Sequence, residues 1–389
     1  MMLFSVDGAG AKTTFDHTLI VCVVLLTGVG LVSLYSASYA FAELWFQGDR
    51  WHFVFSQSIR AVVGFILFFI AANINMETLR SSIMFLVIAA AVLCALTFVP
   101  GIGMNINGAS RWIGAGGFSF QPSELVKLVL PLYLAHIFDK KKDNLKSFSS
   151  GILPPVVVTA LFFGLILSQN NFSTAVFIAA NALIIFFLAG VGIGFFVGAA
   201  MIILPVTFLL VLLEEHRLRR LISFIWPDWE PLGAGYQVQA SILTISSGGF
   251  WGKGLGQGTR KIVSVPEVHS DFIFSAYSEE GGFIGVALFI LAFAVFAWRG
   301  YRAALKADSA FKRLAACGLV TAIFTQMLLN IAVVSGAAPA TGVPLPFFSA
   351  GGSSLLVSLV MSGFIVNISR APVSSLKREN MNNGVYNGI

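Results

Sequence analysis

The chain is 389 residues long, 57% hydrophobic and only 11% charged, with a mean hydropathy of +0.86. Soluble domains run at about 45–50% apolar and about 25% charged, so water is excluded as its main solvent. A net charge of +6 would suggest nucleic acid in a soluble chain, but here the basic residues stand mainly at the ends of apolar stretches, where they report orientation across a bilayer.

Apolar stretches of about 20 residues, enough for a helix to span a hydrocarbon core of roughly 30 Å, recur from His17 almost to Arg370. They predict an all-α bundle of ten spans: 17–40, 53–74, 79–100, 122–138, 149–168, 172–190, 192–213, 272–297, 313–335 and 350–369. No small-residue cleavage site follows the first span before Tyr35-Ser36-Ala37-Ser38, so it is expected to remain as an anchor. With residues 1–16 placed in the cytoplasm, fourteen basic residues fall inside and eight outside, six of the eight in one long loop. Long loops cross regardless of charge, so the short loops decide, and both termini are expected to be cytoplasmic. The cysteines, Cys22, Cys94 and Cys317, and the five histidines are scattered without paired or metal-binding spacing, which leaves no protein-built metal site in view.

Arg60 lies inside the second span, and Glu124 and Lys127 lie inside the fourth. Charges there need partners or a wet cavity. Glu124 and Lys127 are three residues apart on a helix that Pro122 starts, which suits a local ion pair or a substrate-facing pair equally. Arg111, in the outer stretch Asn107-Gly-Ala-Ser-Arg-Trp-Ile-Gly114, stands beside Trp112, a pairing typical of an interfacial anchor.

One outer loop, residues 214–271, is far longer than the other connections, and function concentrates in such loops. Within it, residues 236–247 are read as an amphipathic interfacial helix, followed by the glycine-rich run Gly248–Gly258, whose backbone can turn tightly near a ligand. The loop ends in Arg260-Lys-Ile-Val-Ser-Val-Pro-Glu-Val-His-Ser-Asp271, which sets acids, bases and His269 at the mouth of a span. Asp271 there has two readings, a general base with Lys253, Arg260 and Lys261 holding an anionic leaving group, or the N-cap of the span. Beyond it the tail, residues 371–389, is polar without apolar period and is read as disordered.

Several long motifs in order resemble the SEDS family (shape, elongation, division and sporulation; FtsW, RodA and SpoVE). They are Tyr35–Ser38, Gly108–Ile113 with Gln121–Leu128, Gly235-Tyr-Gln237, Pro266–Phe274 with Glu279-Glu280, Thr341–Ser349, and Gly351–Ser354. The resemblance implies a ten-helix membrane fold and a peptidoglycan glycosyltransferase that polymerises lipid II outside the cytoplasmic membrane, working with a class B penicillin-binding protein and divisome proteins. It assigns catalysis to Asp271, which matches the family's essential aspartate. As substrate-facing residues it adds Glu124, Lys127, Glu267, His269 and Ser349 to the cations Arg111, Lys253, Arg260 and Lys261. A divalent cation, Mg or Mn, would suit the same diphosphate, although no residue set binds one unmistakably. The arginine-rich stretch Arg217–Asp228 and the Ser36-Ala37-Ser38 motif resemble the FtsW branch, which implies a role at the division septum.

Two departures stand out. Where many relatives carry Pro-Asp-x-Gly-Thr, this chain reads Gln169-Asn-Asn-Phe-Ser-Thr174, so Asn171 replaces an acid and cannot act as a base. Ala350 stands where relatives often have tyrosine. Two other classes of function fit a polytopic bundle with intramembrane charges: a lipid flippase or ion-coupled carrier, and a scaffold for other cell-wall proteins. Inverted repeats with a broken helix in each half would mark the carrier, and the sequence offers no convincing pair.

Overall fold

Each of the ten apolar stretches forms a helix in the computed structural model, which describes residues 13–106, 108–115, 118–145, 147–226, 234–259 and 268–372. In chain order these residues form α1 (His17–Trp45), α2 (His52–Asn73), α3 (Met76–Leu96), α4 (Pro122–Lys140), α5 (Leu153–Ser168), α6 (Phe172–Leu188), α7 (Ile193–Leu212), α8 (Glu215–Ile225), α9 (Ala234–Ser247), α10 (Ile273–Leu305), α11 (Ala310–Val334) and α12 (Gly352–Ile368). Among the described residues seven helical segments are long and apolar enough to cross a membrane: α1, α2, α3, α5 with the π-turn before it, α7, α10 and α11. Helices α6 and α12 are apolar but shorter, and α4 carries Glu124, Lys127, Asp139 and Lys140. The chain is therefore an all-α, multi-pass membrane protein.

Local chemistry sets the helix starts. Asp16 accepts hydrogen bonds from the Thr18 and Leu19 amides ahead of α1, Asn75 does the same for Glu77 ahead of α3, and Ser309 for Lys312 ahead of α11. These side-chain caps satisfy amides that the first turn leaves without partners. Pro122 starts α4, where its missing N–H costs nothing.

The bundle centres on α12, which buries fourteen of its seventeen residues. Such all-round burial is what an all-round apolar helix requires. It lies against α2 closely enough for Gly363 to touch the Phe68 carbonyl, and the Asn367 amide donates to the Ala71 and Ile74 carbonyls at 2.9 and 2.7 Å. Small residues and interhelical amides of this kind hold helices together where lipid offers no hydrophobic drive. Helix α7, by contrast, buries none of its residues and presents its apolar surface outward.

The two ends of the described chain meet at one end of the bundle. Strand β1 (Thr13–Thr14) pairs antiparallel with β5 (Ala371–Pro372), and Asp16 forms an ion pair with Arg299 at 2.5 Å. The polar tail thus begins with two paired residues, and residues 373–389 lie outside the described residues, as do 1–12.

Three features differ from a plain helical bundle with an irregular long loop. A three-stranded antiparallel sheet, β2 (Gly103–Ile106), β3 (Ala109–Ala115) and β4 (Phe118–Phe120), follows α3. Its first turn falls at Gly108, with φ +76°, after an Asn-Gly pair that favours a tight hairpin. The described part of the long loop holds α8 as well as the expected α9. And α10, which runs to Leu305 instead of residue 297, is broken at Gly282, where φ is 59° and ψ −162°.

Candidate active site

Asp271 sits at the bundle end opposite the termini, just ahead of α10. The cap position of that helix is Phe272, which makes no side-chain capping bond, so the N-cap reading of Asp271 does not hold. The Ser270 hydroxyl donates to Asp271 Oδ1 at 3.1 Å, and Gly342 lies against the other carboxylate oxygen. Asn330 of α11 donates to the Asp271 carbonyl at 2.8 Å and to the Val343 carbonyl at 2.9 Å. One amide thus ties the carboxylate's backbone to the 341–351 segment that covers it.

Two guanidinium groups stand within electrostatic reach. Burial pulls Arg111 and Arg220 below the ordinary arginine range; Arg220 also lowers Arg111, while the Asp271 carboxylate pushes both back up. Arg111 donates to the Asn170 carbonyl, and Arg220 donates to the Ala340 carbonyl at 3.3 Å. Each keeps its Nε–H sealed from solvent without a hydrogen-bond partner. Asn170, with φ +58°, returns a bond from Nδ2 to the Gly108 carbonyl at 3.0 Å, so the end of α5 and the β2–β3 hairpin hold Arg111 between them. In the departing Gln169–Thr174 stretch, Asn171 is buried and donates to Ser123 Oγ at 3.4 Å.

The other residues singled out in the sequence fall into separate groups. His269 is partly buried between the rings of Phe41 and Phe53, at 5.1 and 4.4 Å between centroids, and burial lowers its pKa. Its carbonyl receives the Ala350 amide at 3.0 Å. Ser349 uses its hydroxyl to accept the Leu345 amide at 2.8 Å, closing the turn of that same segment. Glu124 and Lys127, each 3% exposed, are paired at 2.7 Å inside the bundle. Lys127 also donates to Gln326 at 3.2 Å, and Gln326 donates to the Pro344 carbonyl at 2.8 Å, so the pair reaches the covering segment rather than Asp271.

Lys253 is bound to Glu279 at 2.6 Å, with Ser247 donating to the same oxygen at 3.2 Å. Glu280 accepts from Ser36 at 2.5 Å and from the Gly256 amide at 2.9 Å. The glycine-rich run is thereby fastened to the break in α10, where Gly252 and Gly282 meet backbone to backbone. Arg60 packs its guanidinium against Gly352 at the start of α12. Arg260, Lys261 and Glu267 lie outside the described residues.

Arg220, Asn170 and Asn330 were not among the residues singled out. Arg217 and Arg220 share a face of α8 at i, i+3, and an asparagine within an apolar helix marks an interhelical bond; both signals are present in the sequence. A divalent cation does not fit the described donors around Asp271. Two guanidinium groups flank that carboxylate, and no three His, Cys, Asp or Glu side chains converge among the described residues.

A carboxylate at the end of a multi-pass bundle, with two guanidinium groups in electrostatic reach, marks a membrane protein with a polar, charge-bearing candidate site. The chain belongs to the FtsW/RodA/SpoVE family, the SEDS proteins, whose family model, described as cell cycle protein, matches residues 16–373. It is 38% identical over 355 residues to a probable peptidoglycan glycosyltransferase FtsW of Geobacter sp. strain M18, covering 91% of this chain and 96% of that one. It is 38% identical over 359 residues to the stage V sporulation protein E of Bacillus subtilis, covering 92% and 98%. Among solved structures, a chain of a peptidoglycan synthase complex that couples polymerisation and crosslinking superposes with a TM-score of 0.77 at 27% identity, over 92% of this chain and 98% of that one. The rod shape determining protein RodA of Thermus thermophilus superposes at 0.67 with 26% identity, over 92% and 97%.

Proposed function

We propose that this chain is a peptidoglycan glycosyltransferase of the FtsW type, which joins lipid II units into β-1,4-linked glycan at the outer face of the cytoplasmic membrane. It acts with a class B penicillin-binding protein in septal wall synthesis. The observation that carries the reading is Asp271, its carboxylate bonded by Ser270, its backbone carbonyl by Asn330, and the Arg111 guanidinium within electrostatic reach. All ten apolar helices cross the bilayer, both termini lie in the cytoplasm, and residues 214–271 lie outside.

The chemistry follows from the residues. The 4-hydroxyl of the acceptor sugar approaches Asp271, which takes its proton as the oxygen attacks the anomeric carbon of the donor. The bond from that carbon to the lipid diphosphate breaks, and the diphosphate leaves with the electron pair. A single displacement inverts the α-linked donor to a β link without a covalent enzyme intermediate. Arg111 faces the charge that develops on the leaving group, in a partly dry site where a fixed cation is worth more than in water. The half-exposed Lys253–Glu279 pair and the buried Lys127–Glu124 pair hold the framework around this reaction.

Purified protein supplied with lipid II tests the reading. The wild type should produce glycan chains and Asp271→Asn should not; equal polymerisation by the two would remove the proposed base. A fluorescent fusion should gather at midcell, and uniform placement along the side wall would reassign the protein to elongation.

A further inference from the structure

The break in α10 at Gly282 frees backbone groups that an unbroken helix would pair among themselves: the carbonyls of Glu279 and Glu280 and the amides of Phe283 and Ile284. The glycine-rich run supplies a partner for each. Lys253 and Gly254 donate to the Glu279 and Glu280 carbonyls at 3.0 and 3.1 Å, and the Gly249 and Phe250 carbonyls accept from Phe283 and Ile284 at 3.0 and 3.3 Å. Residues 249–254 are thus spliced into the hydrogen-bond ladder of a membrane-crossing helix, and their depth is the depth of that helix at its break.

Two helices give that depth. Arg299 of α10 pairs with Asp16, the cap of α1, so the two residues stand at one level, and charged residues at helix ends stand at the membrane boundary. At about 1.5 Å per residue, Phe283 is about 24 Å along α10 from Arg299, and Ser36 is about 28 Å along α1 from His17. The Ser36 hydroxyl meets Glu280 at 2.5 Å. Both helices therefore put the break just short of the far boundary of a hydrocarbon core about 30 Å thick, and tilt only brings it deeper.

The run is built for that solvent. Hydrocarbon offers backbone groups no partners, so irregular chain is stable there only where protein satisfies it. Besides the bonds above, Gly252 donates to the Gly248 carbonyl, Gly256 to the Glu280 carboxylate at 2.9 Å and Gln257 to the Gly254 carbonyl. The single charge of the run, on Lys253, is met by Glu279, whose side chain is 0% exposed. What faces outward is apolar. Trp251 is 78% exposed and Leu255 69%, and Phe250 stacks on the exposed Phe283 of α10 at 5.5 Å. From Phe283 the same exposed apolar surface continues along α10 through Leu288 and Leu291 to Trp298.

We infer that residues 249–255 dip into the acyl chains of the leaflet on the Asp271 side, with Phe250, Trp251 and Leu255 covered by lipid. A stretch whose glycine content marks it as an external loop is then a membrane anchor that holds the break in α10, with Glu279 and Glu280, at a fixed depth. The inference is independent of the glycosyltransferase reading.

The purified full chain in vesicles of phosphatidylethanolamine and phosphatidylglycerol tests it. Cys317→Ala removes the native thiol that is not buried, and a nitroxide is attached through Trp251→Cys or, separately, Leu255→Cys. Leu291→Cys, at an exposed position within the apolar part of α10, is the lipid reference. Asp308→Cys, with a side chain 72% exposed between α10 and α11, is the water reference. At both loop positions the label should collide with oxygen as often as at Leu291 and lose the nickel-chelate collisions seen at Asp308. Chelate collisions at the Asp308 level would place the run in water, and loss of collisions with both reagents would place it against protein; either overturns the inference. Trp251→Phe keeps an apolar ring and gives a second readout that needs no label. The fluorescence that it removes, the share of Trp251, should be quenched in the wild type by brominated acyl chains and spared by iodide. Iodide quenching of that share, or no quenching by bromolipid, overturns the inference as well.

Discussion

Asn330 donates its single side-chain amide to two backbone carbonyls, that of Asp271 at 2.8 Å and that of Val343 at 2.9 Å. The residue is 1% exposed, so neither bond competes with bulk water. Asp271 lies ahead of a short helical piece, and Val343 lies in the segment that covers it; the amide fixes the gap between them. Loss of this staple moves the proposed base relative to the substrate, and a misplacement of about 1 Å costs on the order of a hundredfold in rate.

Asn330→Ala is accordingly expected to lower polymerisation at least about tenfold and to destabilise the fold by about 2–4 kcal/mol, from two buried hydrogen bonds and their dried acceptors. Glycan yield from lipid II and thermal unfolding in detergent check both effects. A destabilised variant with the wild-type rate would show that the amide holds the fold without placing Asp271.

The Lys127–Glu124 pair behaves as a unit, because both side chains are buried and Lys127 connects onward through Gln326 to Pro344. Lys127→Met leaves Glu124 charged and without its cation, at a cost of about 3–5 kcal/mol. The double variant Glu124→Gln with Lys127→Met removes both charges and should recover most of that stability. Melting temperatures of the two variants decide this. If the double variant melts no higher than the single one, the carboxylate was not the source of the loss.

The break in α10 depends on a residue without a side chain. Gly282, at φ 59° and ψ −162°, occupies a region open essentially to glycine, and an added Cβ would strike the backbone of Gly252. Gly282→Ala should cost at least about 1–3 kcal/mol from conformation alone, with a further loss as the glycine-rich run is pushed away from Glu279 and Glu280. Gly281→Ala is the control, since its Cβ would meet only Tyr277 at 3.9 Å. A lower melting temperature for the first and an unchanged one for the second is the expected pair of results.

His269 gives the site a pH dependence whose direction is set by burial. The ring lies among Phe41 and Phe53 with its Nδ1 sealed and unbonded, and its pKa is lowered. Above the ordinary imidazole value of about 6.5, the ring is neutral in both the folded and the unfolded chain, and its contribution to stability is complete. As pH falls below that value the unfolded chain binds the proton first, and the contribution is lost as pH passes down through the folded value. Wild-type thermal stability should therefore fall as pH drops below about 6.5, and His269→Phe should flatten that part of the curve. A pH profile identical in the variant would assign the acid loss to other groups.

Much of the architecture was legible from hydropathy alone, because a bilayer demands continuous apolar segments of a set length. The ten stretches from His17 to Ile368 each form a helix, and the amphipathic pattern of residues 236–247 marks α9 to within a few residues. The helix ends that moved furthest are those of α1, which continues through Phe41–Trp45, and α10, which continues through Trp298–Leu305, where Glu43 in the first and Arg299 and Arg302 in the second interrupt the apolar run. Asp271 was legible as chemistry from residue type and position, and as catalysis only through the family motifs around it.

Composition and spacing by themselves determined that this chain lives in a membrane, which residues are costly to bury, and where its long loop lies, since each of these depends on solvation along a single segment. Tertiary structure alone decided which charge meets which. Lys253 turns to Glu279, and Arg220 comes within electrostatic reach of Asp271. Those pairings join residues of different elements, and the energy of a charge depends on distance and surroundings in space, not along the chain.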